Sequence, residues 1–254
     1  MKNAHGFTLI EMAVALVVIA LLLGSILVPL ATQVEQRQIS DTKKHLEEIK
    51  EALIGFAIAN GRLLCPASAT SNGAESFVGV VGASACTTYN GFVPAATLGI
   101  SPVDDRGFAI DPWGNRIRYS VTNWVPSTPP SCAPSTPPFT TTGGMSTNWS
   151  CPLAPNLNVC STATGISGSI CAAGTALTTG APVVIYSTGK NGGYGGTGLD
   201  EAANPNPNST DNDRAFVSHV PTPSTAPNGE FDDIMTWLSP NILYNRMVAA
   251  GKLP

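Results

Sequence analysis

Residues 1–31 read MKNAHGFTLIEMAVALVVIALLLGSILVPLA, and this stretch decides how the rest of the chain is organised. Met12 to Ala31 is a run of 20 residues without a charge, and Glu11 is the charged residue at its entrance. At about 1.5 Å of rise per residue, a helix of this length is about 30 Å long, which is the thickness of a bilayer's hydrocarbon core. The stretch therefore predicts a helix that crosses a membrane.

A secretory signal peptide is the first alternative for this segment. Such a peptide is cleaved at small residues after its apolar core, whereas here the small residue, Gly6, precedes a core that is also long for a signal peptide. The order Gly6-Phe7-Thr-Leu-Ile-Glu11 closely resembles the class III leader of type IV pilins, pseudopilins and related filament subunits. The resemblance implies cleavage between Gly6 and Phe7 by a prepilin peptidase and N-methylation of Phe7. Residues 1–6 are then the leader, and residues 7–31 are a retained transmembrane helix.

Glu11 has two interpretations. A carboxylate at the centre of a membrane helix costs about 2.5–3.5 kcal/mol, so it needs a partner or a nearby polar surface. It could reach the lipid headgroups from the first turn of the helix. The resemblance instead implies that it pairs with the amine of Phe7 on a neighbouring subunit during assembly, and we favour this interpretation.

The cysteines place the rest of the chain in an oxidising compartment. All six follow the apolar segment, and no C-x-x-C pair occurs among them. Six cysteines allow more than a dozen connectivities. Proximity along the chain favours three pairs, which are Cys65–Cys86, Cys132–Cys151 and Cys160–Cys171. Together with the leader that the resemblance implies, the cysteines lead us to expect a cytoplasmic N-terminus, one pass through the inner membrane and a periplasmic C-terminal domain.

Composition excludes some function classes. The chain has 254 residues, a net charge of −4 and only 13 Lys and Arg, so it lacks the basic stripe typical of nucleic-acid-binding proteins. Gly (25) and Pro (21) are frequent, which predicts a loop-rich exported part. No nucleophile motif accompanies the few histidines, so we expect no enzyme activity.

Residues 32–61 continue the helix in amphipathic form. Apolar residues recur every three or four positions, with Gly61 as the C-cap, so a single helix from about residue 7 to 60 is predicted. The predicted packing stripe is Ile39, Lys43, Leu46, Ile49, Leu53 and Phe56.

The remaining residues, 62–254, are predicted to form an α+β globular domain on a small antiparallel sheet. Residues 116–121 and 183–187 have strand patterns, and the turn Asp111–Asn115 precedes the first of them. This turn and strand resemble those of major pseudopilins of type II secretion systems. Carboxylates here (Asp104, Asp105 and Asp111) are interpreted as turn-forming groups rather than as acid/base catalysts.

Two further segments have distinct patterns. Residues 122–182 are rich in Pro, Ser, Thr and Gly, which predicts a disulfide-bonded surface insertion rather than a second core. Near the C-terminus, Ser239 and Pro240 begin a short helix that ends before Gly251. Its predicted docking face is Ile242, Leu243, Met247 and Val248.

The segment from Tyr186 to Asp200 resembles the calcium loop of major pseudopilins. Calcium prefers several hard oxygen ligands on a flexible loop. The resemblance points to Asp200, Asp232 and Asp233 as ligands for Ca²⁺, with Asp211 and Asp213 as alternates. Two departures are that Asn191 stands where aspartate is usual, and that roughly 30 residues separate Asp200 from Asp232.

Together these resemblances imply a structural subunit of a type II secretion pseudopilus or a type IV pilus. The insertion and the length of the chain favour a minor subunit. Expected partners are other pilin or pseudopilin subunits, prepilin peptidase, the inner-membrane assembly platform and lipid. The alternative is an adhesin or ligand-binding module that uses a pilin anchor, with the insertion as its binding surface.

Overall fold

A computed structural model describes residues 8–127, 132, 134, 136–151, 153–192, 198–204 and 214–254, with the backbone alone for residues 23–30. Its helices are α1 (Leu9–Asn60), α2 (Ala95–Leu98), α3 (Gly144–Thr147), α4 (Leu199–Ala202) and α5 (Pro240–Ala249). Its strands are β1 (Asn90–Phe92), β2 (Arg118–Val121), β3 (Leu157–Cys160), β4 (Ala176–Ala181), β5 (Val183–Ser187), β6 (Ala215–Val217) and β7 (Ile234–Leu238). The mixed α+β class with an antiparallel sheet is as the sequence predicts.

The chain divides into an N-terminal unit, residues 1–41, and a C-terminal unit, residues 42–254, and α1 contributes to both. In the N-terminal unit, the apolar side chains near the start of α1 are exposed, with Leu9 at 90% and Ile10 at 72% of full exposure. Among the residues whose side chains the structure describes, no helix combines the length and the apolar character needed to cross a membrane. The predicted transmembrane segment includes Phe7 and the side chains of residues 23–30, which lie outside the described residues.

The last five turns of α1 bury one face in the C-terminal unit. That face shares Leu46, Ile49 and Leu53 with the predicted stripe but differs from it elsewhere. Lys43 is exposed, and Ile39 and Phe56 are only half-buried. The buried positions recur at the three- and four-residue spacing of a helix face, and they are Thr42, His45, Leu46, Ile49, Leu53, Ile54 and Ala57. The helix ends as predicted at Gly61, whose φ of +69° lets its N–H donate to the carbonyl of Ala57 at 2.8 Å.

Four strands form an antiparallel sheet in the order β1-β2-β5-β7. Both strands predicted from the sequence lie at its centre, with Arg118 of β2 opposite Phe92 of β1 and Tyr186 of β5. All five residues of β5 are buried, which is typical of a strand covered on both faces. The central strands therefore serve as the frame that positions the loops after β5 and before β7.

A second sheet, in the order β4-β3-β6, was not predicted from the sequence. Strand β3 pairs antiparallel with β4 and parallel with β6. Residues 122–182 are thus more than a surface insertion, because β3 and β4 contribute buried side chains to a core shared with β5 and β6. That core consists of Leu157, Val159, Ala181, Val184, Tyr186 and Phe216. The alternation of apolar residues in β3 spans only four positions. Because the sequence around it is rich in Pro and Thr, the pattern was too short to predict a strand.

Three disulfides close loops in the C-terminal unit. They join the neighbouring pairs that sequence proximity favours, Cys65–Cys86, Cys132–Cys151 and Cys160–Cys171. Helix α5 begins after Ser239 as expected, although the serine side chain makes no capping hydrogen bond. Its docking face is narrower than predicted. Leu243 and Met247 are buried, whereas Ile242 and Val248 are 49% and 43% exposed because they lie on the solvent side of the helix.

Candidate functional site

Three carboxylates meet where the loop after β5 approaches the segment before β7. Glu201 comes from α4, while Asp232 and Asp233 come from the residues just before β7. Each of the three offers an oxygen within 4.8 Å of an oxygen from the other two. We call these three residues the acidic cluster.

Amide groups hold the acidic cluster in place. The backbone N–H of Asp232 donates to Oε1 of Glu201 at 2.9 Å, and the backbone N–H of Asn191 donates to Oδ2 of Asp232 at 3.0 Å. The side-chain amide of Asn191 donates to both oxygens of Glu201, at 2.9 and 3.1 Å, and the amide of Asn204 donates to Oδ2 of Asp233. Oδ1 of Asp232 is enclosed and has no hydrogen-bond partner among the described residues.

The surroundings disfavour negative charge on the two aspartates. Burial raises the pKa of Asp233 to about 7, and the nearby charges of Glu201 and Asp232 act in the same direction against the hydrogen bond from Asn204. Burial likewise raises the pKa of Asp232 to about 6, with Glu201 again adding to the effect. A proton or a bound cation would each relieve this repulsion.

Arg118 is a cation close to Asp233, and it is not paired with the carboxylates of the cluster. Its charge opposes the rise in the pKa of Asp233, and its guanidinium lies over the ring of Phe92 at 4.7 Å from the centroid. However, its Nε and Nη1 are buried without a hydrogen-bond partner among the described residues. Arg118 therefore supplies long-range attraction to the acidic cluster without pairing with any of its carboxylates.

The donor set fits a hard divalent cation. Three carboxylates at short mutual distance offer the oxygen ligands that calcium prefers. The unpartnered Oδ1 of Asp232 is a buried acceptor that a cation would satisfy. By residue type, burial and charge, Glu201, Asp232 and Asp233 are suited to hold Ca²⁺.

Asp200 is not part of this group, although the sequence singled it out. Its carboxylate accepts hydrogen bonds from the N–H of Ala163 at 2.6 Å and from Asn228 at 3.0 Å, and it lies 3.2 Å from Nε2 of His219. Burial alone would raise the pKa of Asp200, but these bonds lower it below its usual range. Adjacent side chains in a helical turn point about 100° apart, so Glu201 faces the cluster and Asp200 faces away. The alternates Asp211 and Asp213 lie outside the described residues.

The other predicted turn carboxylates have structural partners. Asp111 accepts from the N–H groups of Trp113 and Asn115, at 2.9 and 2.8 Å, and from the hydroxyl of Ser187 at 2.6 Å. Asp104 accepts from backbone N–H groups of its own turn and pairs with Arg116 at 2.6 Å. Their interpretation as turn-forming groups agrees with these contacts.

The N-terminal unit contains a second candidate site, at the first turn of α1. Thr8 and Glu11 form a reciprocal capping box. The N–H and hydroxyl of Thr8 donate to Oε2 of Glu11 at 2.8 and 2.7 Å, and the N–H of Glu11 donates back to the hydroxyl at 3.4 Å. The predicted processing residues Gly6 and Phe7 lie outside the described residues.

Comparison with known proteins identifies this N-terminal segment. No curated protein and no solved structure matches the chain. Residues 1–27 match the family model described as the prokaryotic N-terminal methylation motif. The chain therefore carries at its N-terminus the signature of type IV pilins and pseudopilins, the substrates of prepilin peptidase.

Proposed function

We propose that this protein is a structural subunit of a type II secretion pseudopilus or type IV pilus, and that it is a minor subunit. The observation that carries the proposal is the methylation motif at residues 1–27, with Glu11 in the first turn of α1. The described C-terminal unit offers carboxylates held in turns and an acidic cluster suited to a cation, which favours a structural role over catalysis.

In this proposal the N-terminal residues act in sequence. Prepilin peptidase cleaves the chain between Gly6 and Phe7 in the inner membrane, and Phe7 becomes the methylated N-terminus. Glu11 then accepts the Phe7 amine of a neighbouring subunit. Among the described residues, hydrogen bonds reach only Oε2 of Glu11, so Oε1 is available for this pairing while the capping box stays intact.

The exposed apolar side chains near the start of α1 support an anchoring role. Exposing large side chains such as Leu9, Ile10 and Leu21 to water is costly, and it is relieved in lipid or against other apolar helices. Residues 7–31 accordingly serve first as a membrane anchor. After assembly they are one helix of the bundle at the core of the filament. The C-terminal domain occupies the periplasm before assembly.

The proposal includes one calcium ion in the C-terminal unit. Glu201, Asp232 and Asp233 hold it, and its positive charge offsets the repulsion among these buried carboxylates. The ion's role is structural, because it would link α4 to the segment before β7 and so stabilise the long connection between them.

Processing is the direct test. The full-length protein is expressed with and without a prepilin peptidase, and the membrane-extracted chain is examined by intact mass and N-terminal sequencing. The expected result is an N-methylated Phe7 that appears only with the peptidase and is lost in a Gly6→Leu variant. An Ala4→Leu variant, which changes a leader residue away from the cleaved bond, is the matched control. An uncut Met1, or a cut after residue 31, would exclude a filament subunit.

A ligand-binding module on a pilin anchor is the second candidate. A specific observation favours it, because residues 122–182 contribute most of the lining of a pocket that also contains Arg214.

A further inference from the structure

A pocket of about 240 Å³ lies beside the second sheet, next to β3 and β6. Three segments line it, namely the start of β3, the loop closed by the Cys160–Cys171 disulfide, and the residue preceding β6. The lining residues are Asn156, Asn158, Gly168, Ser169, Ile170 and Arg214. The pocket is distinct from the acidic cluster, with which it shares no residue.

Arg214 gives the pocket a positive charge that pairs with no carboxylate among the described residues. It is the one charged residue of the lining. Within the described part of the chain it forms no ion pair, and its Nε is enclosed without a hydrogen-bond partner. A partly buried guanidinium without an acid is costly, since its lost hydration is not replaced. A negatively charged ligand would supply the missing charge.

The neutral side chains of the pocket add further hydrogen-bond donors. Nδ2 of Asn156 donates to Asn123 at 2.9 Å, and Nδ2 of Asn158 donates to the carbonyl of Ser169 at 2.9 Å. Each amide nitrogen carries two hydrogens, so one remains on each after these bonds. The hydroxyl of Ser169 accepts from the N–H of Arg214 at 3.4 Å and keeps its own hydrogen available. With no carboxylate in its lining, the pocket favours ligands rich in acceptor oxygens.

The backbone at Ser169 is strained. Its φ is +72°, in the left-handed region that residues other than glycine rarely adopt. Ser167 and Ile170 exchange backbone hydrogen bonds at 3.1 and 3.0 Å across this turn, which hold the conformation in place. Conformations of this kind persist where the surrounding structure enforces them, commonly at ligand sites. The turn places Ser169 and Ile170 in the lining of the same pocket.

We infer that this pocket binds a sugar acid, that is, a monosaccharide-sized ligand with a carboxylate and several hydroxyl groups. The carboxylate meets the guanidinium of Arg214, whose planar fork suits two parallel hydrogen bonds. The hydroxyl groups both donate and accept, so they match the asparagine amides and Ser169. The volume of about 240 Å³ is below the range of about 300–1,000 Å³ usual for ligand pockets, which restricts the ligand to about one hexose-sized ring. The inference stands independently of filament assembly.

Calorimetric titration of the full-length protein in lipid nanodiscs tests the inference. The probes are D-galacturonate, its neutral counterpart D-galactose, and inorganic phosphate. We expect galacturonate to bind with a Kd on the order of 1 mM, the range usual for a ligand of this size. Galactose and phosphate should each bind at least about tenfold more weakly, since a carboxylate and hydroxyl groups are both needed.

Two variants and a control link the binding to the pocket. Arg214→Gln should weaken galacturonate binding about tenfold or more, because it removes the charge. Ser169→Ala keeps the charge and should weaken binding about threefold through one lost hydrogen bond. Arg246→Gln changes the same charge on the exposed side of α5 and should leave binding unchanged. The thermal midpoint of each variant establishes that it is folded.

The outcomes separate the alternatives. No galacturonate binding by the wild-type protein at about twenty times the expected Kd would overturn the inference. If galactose binds as tightly as galacturonate, the carboxylate has no role in recognition and the inference is overturned. If phosphate binds as tightly as galacturonate, the pocket is a general anion site rather than a site for a sugar acid. Unchanged binding by folded Arg214→Gln and Ser169→Ala variants would place any binding elsewhere on the protein.

Discussion

The backbone N–H of Asp232 donates a 2.9 Å hydrogen bond to Oε1 of Glu201, across 31 residues of chain. This bond joins α4 to the segment before β7 and so brings the three carboxylates of the acidic cluster together. The long separation between these segments was the main departure from the compact calcium loop that the sequence resembles. In the folded chain the separation is no obstacle, because the carboxylates of Glu201, Asp232 and Asp233 still come within 4.8 Å of one another.

The acidic cluster should make the free energy of unfolding rise as the pH falls, whereas paired carboxylates usually make it fall. Burial raises the pKa of Asp233 to about 7, above its unfolded value, so the folded protein binds the proton more tightly than the unfolded chain. Without calcium, the free energy of unfolding should therefore rise by about 2 kcal/mol on acidification from about pH 7.5 to about pH 5.5. Urea unfolding in the presence of a chelator measures this. Asp233→Asn should remove most of the rise, whereas Asp105→Asn, at an exposed turn position, should not change it.

Calcium should stabilise the protein at neutral pH. A cation that binds only the folded state at 100 times its Kd adds about 2.7 kcal/mol to the free energy of unfolding. We therefore expect the thermal midpoint at about pH 7.5 to rise when calcium replaces the chelator. Asp232→Asn should abolish the increase by removing a ligand, and Asp105→Asn should retain it. Identical midpoints with and without calcium would rule out the proposed ion.

Gly189 lets the loop after β5 pack closely against Asp232 of the acidic cluster. Its φ is +62°, and a Cβ at this position would collide with the carbonyl oxygen and Oδ1 of Asp232. Gly189→Ala should destabilise the protein and eliminate the response to calcium, because Asp232 must move. Gly99→Ala is a matched control. Gly99 has a φ of +69° but nothing within 4 Å of its added Cβ, so this variant should carry a similar backbone cost and keep the calcium response.

Glu11 should be needed for assembly rather than for processing. Glu11→Gln keeps the size of the side chain but removes the charge that would pair with the Phe7 amine. We expect the variant to be cleaved and retained in membranes but largely absent from sheared filaments, as measured by immunoblotting of the two fractions.

Thr8→Ala separates the capping of α1 from the pairing of Glu11 with the Phe7 amine. It removes the hydroxyl bonds to Glu11 but leaves the carboxylate in place. Loss of a capping group costs about 1 kcal/mol of helix stability. Filament yield should therefore fall only modestly. A Glu11→Gln variant that assembles at the wild-type level would contradict the pairing.

The Cys160–Cys171 disulfide should stabilise the second sheet. Cys160 is the last residue of β3, which pairs with both β4 and β6, so the bridge holds the central strand of that sheet. Replacing both cysteines with serine should lower the free energy of unfolding by about 2–4 kcal/mol. Urea unfolding with intrinsic fluorescence measures the change. An unchanged midpoint would mean that the sheet does not depend on the bridge.

Local chemistry made much of this protein predictable. The end of α1 at Gly61 and the strand at residues 183–187 follow from interactions between residues close in sequence, which one segment specifies by itself. The methylation motif is likewise one continuous segment, residues 1–27, which includes Glu11. For the same reason the three disulfides join neighbouring cysteines, since short loops cost the least entropy to close.

Long-range packing decided the remainder. The parallel pairing of β3 with β6 depends on a contact between segments more than 50 residues apart, and nothing in the pattern of Leu157 and Val159 specifies it. Whether Asp200 or Glu201 joins the acidic cluster depends on how one helical turn is rotated against the segment before β7. The sequence by itself determined the N-terminal motif and the principal helix and strands, because these depend on neighbours along the chain. Tertiary structure alone decided which carboxylates meet, because their directions are set by packing between distant segments.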